Sequence, residues 1–186
     1  MATLFVDKID PQSGTSLTIG SSGDTVALTS GVVQSNMLYP AWYVSLSADQ
    51  TFSDATATKV QFNTEAFDTD NIYDNSTNYR ITIPSGKEGK YYIEASVFVD
   101  AQAVSNLNRD IVYIYKNGSI VIQSFQDFRS NPSQKMNVNV STILDLVVGD
   151  YIEIFGYGDT ANSGTGIFRG DTSRSESWFQ GFRIGS

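Results

Sequence analysis

A chain of 186 residues that contains neither cysteine nor histidine has no disulfides, no thiolate or imidazole metal ligands, and no histidine to activate a serine nucleophile. Twenty acidic against 12 basic residues give a net charge of −8, with the cations scattered. That balance argues against a nucleic-acid partner, whose affinity would come mainly from neutralised phosphates. No run is long and apolar enough for a membrane span, and MATLFVDKIDPQSG carries neither a basic leader nor a cleavable apolar stretch, so a soluble protein without an export signal is expected.

Up to about Met37 the chain is dominated by Gly, Ser, Thr and Asp, and aromatics are nearly absent after Phe5. Short apolar beats, Leu17-Thr18-Ile19 and Val26-Ala27-Leu28, alternate with turn residues such as Gly20 to Asp24. Strands this short cannot bury a core alone, which predicts an attachment or stalk arm over residues 1–38, either disordered or ordered by pairing with copies of itself or with a larger assembly. From residue 39 the composition turns aromatic and β-branched, and a head domain is expected over 39–186.

Within the head, Trp42, Val44 and Leu46 share one side of a strand, Val60 and Phe62 repeat the pattern, and Tyr79, Ile81 and Ile83 do so again. Pro84-Ser85-Gly86 turns the chain into GKYYIEASVFV, Gly89 to Val99. Here Tyr91, Ile93, Ala95, Val97 and Val99 make a wholly apolar face, and Tyr92, Glu94, Ser96, Phe98 and Asp100 a mixed one. Asp110 to Lys116 is apolar on both faces and is expected to be buried on both. Asn117-Gly118 predicts a type I′ hairpin, because both turn positions need positive φ. Further strands are predicted at Ile120 to Ile122, Met136 to Leu146, Tyr151 to Tyr157 and Trp178 to Ile184. About nine or ten short strands of this kind make a sandwich or a closed barrel.

No motif announces chemistry. Asp68, Asp70 and Asp74, with Asn71 and Asn75, offer oxygen atoms suited to calcium, but the spacing matches no known calcium loop and reads first as a solvated turn. Acidic residues are plentiful, yet nothing sets two carboxylates at the fixed separation that glycoside hydrolysis needs, and no enzyme is expected. Ser163 to Gly170, SGTGIFRG, lacks the lysine and following helix of a phosphate cradle and reads as a long loop. The aromatics Tyr39, Trp42, Tyr43, Phe125, Phe128, Phe168 and Trp178 read mainly as core or subunit interface. Phe125 and Phe128 with Arg129, and Phe168 with Arg169, fall in predicted loops and are candidate contacts for a sugar or protein receptor.

Four blocks in order resemble the complement globular-head family, whose jelly roll is shared with tumour necrosis factor: GKYYIEASVFV, IYKNGSIV, STILDLVVGDYIEIFGYG and SWFQGFRIGS. FNTEAFDTDNIYDNSTNYRITIP resembles the early part of the same pattern, so the likeness spans about Pro40 to Ser186. It implies an all-β, ten-stranded antiparallel jelly-roll sandwich that forms a homotrimer, with the first and last strands side by side near the threefold axis. Some members of that family bind calcium. Tyr91, Ile93, Trp178, Phe182 and Ile184 are the trimer-interface candidates under this reading. The opening MATLFVDKIDPQSGTSLTIGSSGDTVAL resembles the starts of bacteriophage tail-fibre-like proteins, making Leu4, Phe5, Val6 and Ile9 candidates for attachment to a virion. The expected function is a structural fibre, spike or tip protein of a phage particle, made in the host cytoplasm, without a cofactor. A capsid-decoration, head-fibre or neck protein is one alternative, and a secreted bacterial adhesin another.

Overall fold

A computed structural model of the chain describes residues 40–185, together with Ile9 and Thr25. The chain divides into two units, Met1–Ser35 and Asn36–Ser186, and the described fold is that of the second. It has thirteen β-strands: β1 (Ala41–Ser45), β2 (Gln50–Phe52), β3 (Thr58–Lys59), β4 (Thr64–Asp68), β5 (Tyr73–Asp74), β6 (Arg80–Thr82), β7 (Gly89–Asp100), β8 (Leu107–Lys116), β9 (Ser119–Asp127), β10 (Lys135–Leu146), β11 (Tyr151–Thr160), β12 (Gly166–Phe168) and β13 (Trp178–Gly185).

The strands form two antiparallel sheets. Sheet A runs β2-β12-β7-β13-β1-β4, with β10 on the other side of β7, and sheet B runs β5-β6-β11-β8-β9, with β3 also on β11. The jelly-roll sandwich expected from the period-two pattern is therefore present, and the long strand β7 sits at the centre of sheet A. It pairs along its whole length with β10, and on its opposite side first with β13 and then with β12. The gap between those two partners is closed by Ser177. Its hydroxyl accepts from Phe98 N at 3.0 Å and donates to Arg169 O at 2.7 Å, so no main-chain group there is orphaned.

Alternation decides what lies between the sheets. Tyr91, Ile93, Ala95, Val97 and Val99 of β7 meet Trp42, Val44 and Phe179 from the same sheet and Ile81, Val112, Ile114, Ile152 and Ile154 from the other, all buried. Each such aliphatic or aromatic side chain contributes roughly 1.5–3 kcal/mol by leaving water. Glycines fit the tightest places: a Cβ on Gly156 would lie 2.6 Å from the Phe168 ring. The turn between β8 and β9 has φ of 53° at Asn117 and 77° at Gly118, as a type I′ hairpin requires.

Three local expectations are revised. Gly166–Phe168 is a strand inside sheet A, not part of a loop, because Ile167 and Phe168 pair with β7 on one side while Gly166 to Phe168 pair with β2 on the other. The β9 strand continues to Asp127, which puts Phe125 on a strand. Five segments of only two or three residues, β2, β3, β5, β6 and β12, bring the count above ten.

Candidate functional site

The outer face of sheet A carries residues that a solitary subunit has no reason to leave in water. The register sets three rows across the sheet. Ile143, Tyr92, Phe182 and Ala41 make the first; Ser141, Glu94, Gln180, Tyr43 and Phe67 the second; Asn139, Ser96, Trp178 and Ser45 the third. The Tyr92 and Phe182 rings are 5.5 Å apart, and Tyr43 stacks between Trp178 at 6.0 Å and Phe67 at 6.4 Å. Phe182 is 47% exposed, Phe67 50% and Ile143 59%, and Ile184 extends the strip. Polar groups inside it are bonded to one another: Gln180 Nε2 donates to Glu94 Oε2 at 2.8 Å, and Ser96 Oγ to Asn137 Oδ1 at 2.5 Å.

Trp178, Phe182 and Ile184 thus share one outer face, whereas Tyr91 and Ile93 do not. Both are fully buried: the Tyr91 ring lies 6.2 Å from Trp42 and its hydroxyl donates to Lys87 O, and Ile93 sits in the same core. They cannot meet a neighbouring subunit. The cause is the strict alternation of a strand, which assigns Tyr92, one residue on, to the outside.

A second apolar exposure lies at one end of the sandwich. Ile120 and Val121 begin β9, and Val147 and Val148 occupy the turn after β10, all four exposed. The two segments are joined through Lys116, which faces Ser119 in the β8–β9 ladder and forms an ion pair with Asp150 at 2.8 Å. Asp150 also accepts from Val147 N at 2.8 Å and from Asn117 Nδ2 at 2.7 Å. Burial opposes the Asp150 charge, but Lys116, the Val147 amide and Asn117 outweigh it and hold the carboxyl below its ordinary range. Val147 and Val148 are therefore presented on a fixed turn.

The outer face of sheet B is of a third kind, plated with rings and edged by cations. Its rows are Phe125, Ile111 and Tyr157, then Gln123, Tyr113, Phe155 and Lys59, then Tyr115, Glu153 and Arg80. Tyr115 and Phe155 are 4.3 Å apart, and Tyr113 meets Tyr115 edge-on at 6.1 Å. Arg80 covers Tyr151 at 4.0 Å and Arg109 covers Tyr157 at 5.1 Å, its Nη2 also donating to the Tyr157 hydroxyl at 2.9 Å. Lys59 lies over Phe155 and forms an ion pair with Glu153. Sequence reading missed Tyr115, Phe155, Tyr157, Arg80 and Lys59 as a group. The available signal was the outward alternation Tyr151, Glu153, Phe155, Tyr157.

The receptor-contact candidates are dispersed. Phe125 stands 59% exposed beside Ile111 on this face. Phe128 packs partly against the core, with its N–H on Asn108 O at 2.7 Å, and the exposed Arg129 is bound to Asp127. Phe168 is fully buried and stacked on Phe52 at 4.8 Å, so it cannot touch a ligand. Arg169 braces the β12–β13 connection, pairing with Glu176 at 3.1 Å and Asp100 at 3.5 Å.

The acidic turn is engaged from within. Asp68 accepts from Tyr73 N at 2.7 Å, Asp70 pairs with Lys87 at 2.6 Å, and Asp74 accepts from the amides of Ser76, Thr77 and Asn78. Of the virion-attachment candidates, Leu4, Phe5 and Val6 lie outside the described residues, and Ile9 is exposed.

No family model matches the chain, and no curated protein matches it in sequence. Solved structures do match in shape. The globular domain of zebrafish complement 1qA superposes with a TM-score of 0.54 at 17% identity, covering 78% of this chain and 98% of that domain. The Eiger tumour necrosis factor of S. frugiperda gives a TM-score of 0.57 at 10% identity, covering 80% of this chain and 95% of that one. The fold of the head is accordingly the jelly roll common to complement globular domains and tumour necrosis factors.

Proposed function

We propose that the chain is a non-enzymatic structural protein of a bacteriophage particle. In this reading three copies assemble through their jelly-roll heads, the N-terminal residues attach the trimer to the virion, and the heads project to bind the host surface. The observation that carries it is the pair of dissimilar apolar exposures on one subunit: the Tyr92–Phe182–Ile143 strip of sheet A and the Ile120, Val121, Val147 and Val148 edge. Two different patches that fit each other make a head-to-tail contact, and such a contact closes into a ring when the rotation permits. Clustered exposed apolar side chains are a common mark of an association surface. The number three comes from the family that the sequence blocks resemble, and the phage context from the opening residues.

Such a ring leaves the outer face of sheet B for the receptor. Partly buried rings framed by guanidinium, ammonium and hydroxyl groups, with Phe125 exposed beside them, suit a partner with both apolar and polar surface, such as a host glycan or a protein loop.

Sedimentation of the full chain at micromolar concentration tests the assembly: a trimer is expected, and a persistent monomer overturns it. Competition of phage adsorption by excess purified protein tests the role. Blocked adsorption, weakened by Tyr115→Ala with Phe155→Ala, is expected. Unaffected adsorption together with antibody labelling of the capsid or neck would favour a decorating role.

A further inference from the structure

Asp110 lies on the inward face of β8, in line with Val112 and Ile114, and is fully buried. Neither of its carboxylate oxygens has a well-formed hydrogen bond, the donors beside it being the main-chain amides of Gln126 and of Asp110 itself. Directly across the ladder on β9 stands Gln126, whose Oε1 is also buried and has no donor. Side chains so paired have Cβ atoms about 4.5–5.5 Å apart. With both carboxylate oxygens and Gln126 Oε1 buried and no side-chain donor between them, a carboxylic acid supplies the O–H that a carboxylate lacks.

We propose that Asp110 is held as the neutral acid, its proton directed at Gln126 Oε1, and that loss of this proton frees the C-terminal half of β9 from sheet B. The pair is a pH-operated catch on an edge strand.

The surroundings support both halves of that statement. Asp110 is opposite Gly158 on β11, and the space a Cβ would take there is filled by Phe52 and Val99, so no water-lined neighbour solvates it. The charged residues nearest to it along the packed strands fall on outer faces: Arg109 of β8, Asp127 of β9, Asp159 of β11, Asp100 of β7 and Lys135 of β10. Lys116, on the inward face of β8, lies at the far end of the strand and is paired with Asp150, and Asp54, beside the Ala55–Gly158 contact, is bound by Thr160. Arg109 is held on Tyr157, away from the interior. Burial pushes the Asp110 carboxyl up to about 7, outweighing the main-chain amides of Gln126 and Asp110, which favour the charged form. β9 pairs with β8 alone, so lifting Ser124 to Asp127 is the shortest route by which water reaches the ionised group.

The direction follows from linkage. The folded protein keeps a proton that an unfolded aspartate has released above about 4. The catch is fully closed below that pH and is lost as pH rises through about 7. It operates within one subunit and does not depend on assembly.

Hydrogen exchange of the full chain at pD 5.5 and 8.5, with exposure times scaled for the intrinsic rate, tests it. Amides of 124–127 are expected to open at least tenfold more often at the higher pD, and Asp110→Asn, neutral at both, is expected to remove the difference. Equal protection at both values, or the same difference in Asp110→Asn, overturns the proposal. Should that variant not fold, infrared spectra of the native chain decide. A protonated-carboxyl band present at pH 5.5 and absent at pH 8.5 supports the catch, and no such band near neutrality refutes it.

Discussion

The Tyr92 ring of β7 lies 5.5 Å from the Phe182 ring of β13, and both stand on the outer face of sheet A. Phe182 is nearly half exposed, so its burial gains nothing for the single subunit that Tyr91, one residue away and fully buried, has not already supplied. Phe182→Asp is therefore expected to leave the fold intact and to abolish the proposed trimer, since a charge at the centre of an apolar contact stays unpaired when buried. Sedimentation together with far-ultraviolet circular dichroism checks both halves. A normally sized trimer from this variant would move the contact elsewhere.

The interior is predicted to be less forgiving. Gly156 of β11 faces the Phe168 ring, which is itself pinned on Phe52 at 4.8 Å. Gly156→Ala places a methyl group where the ring stands, and the stack cannot yield without moving both phenylalanines. A loss of about 1–3 kcal/mol is expected, the usual cost of overpacking. For a domain of this size that is a fall in melting midpoint of roughly 2–4 °C per kcal/mol. Thermal unfolding measures it, and an unchanged midpoint would mean that Phe168 has room to turn.

Asp74 supplies a pH signature of the opposite sense to that of Asp110. Its carboxylate accepts from Thr77 N at 2.9 Å, Ser76 N at 3.1 Å, and both Asn78 N at 3.1 Å and Asn78 Nδ2 at 2.7 Å. The Thr77 and Ser76 amides, with lesser help from Asn78, hold its pKa far below the ordinary aspartate range. The stability it contributes is present above about pH 4 and is lost as pH falls further, toward the depressed folded value. Asp74→Ala is expected to melt lower than the parent by the same margin from pH 7 to pH 5, with the margin shrinking below pH 4. A margin independent of pH down to 3 would show that the turn does not use the charge.

How much of this was legible in the sequence depends on which residues are asked. Gly89 to Val99 reads as a strand because every second residue is apolar, and Asn117-Gly118 fixes its hairpin through positive φ alone. The same alternation sets Tyr91 on the wholly apolar face with Ile93 to Val99, and the structure buries it beside Trp42 while Tyr92 pairs with Phe182 outside. Phe168 is less legible: three residues between glycines carry no period, and only Phe52 on β2 and the free edge of β7 make them a strand. The plate on sheet B draws on β3, β6, β8, β9 and β11, so it exists only once the register between those strands is known. Asp110 reads only as the first residue of a strand expected to be buried on both faces, and its depth in the sheet follows from the ladder running on to Leu107.

The acidic turn yields the last prediction. Asp68, Asp70 and Asp74 are close in sequence, yet each carboxylate serves a separate partner: the Tyr73 amide, the Lys87 ammonium, and the amides of the 76–78 turn. To collect them around a calcium ion the chain would have to break the Lys87 pair and open the Asp74 turn, and ion binding would have to outweigh both. Among the described residues no three acidic side chains converge as a metal site. Millimolar calcium added to chelator-treated full chain is therefore expected to leave the melting midpoint where it was, because a ligand that does not bind the folded state cannot raise it. A rise of several degrees, reversed by chelator and abolished by Asp70→Asn, would show that the turn rearranges around the ion.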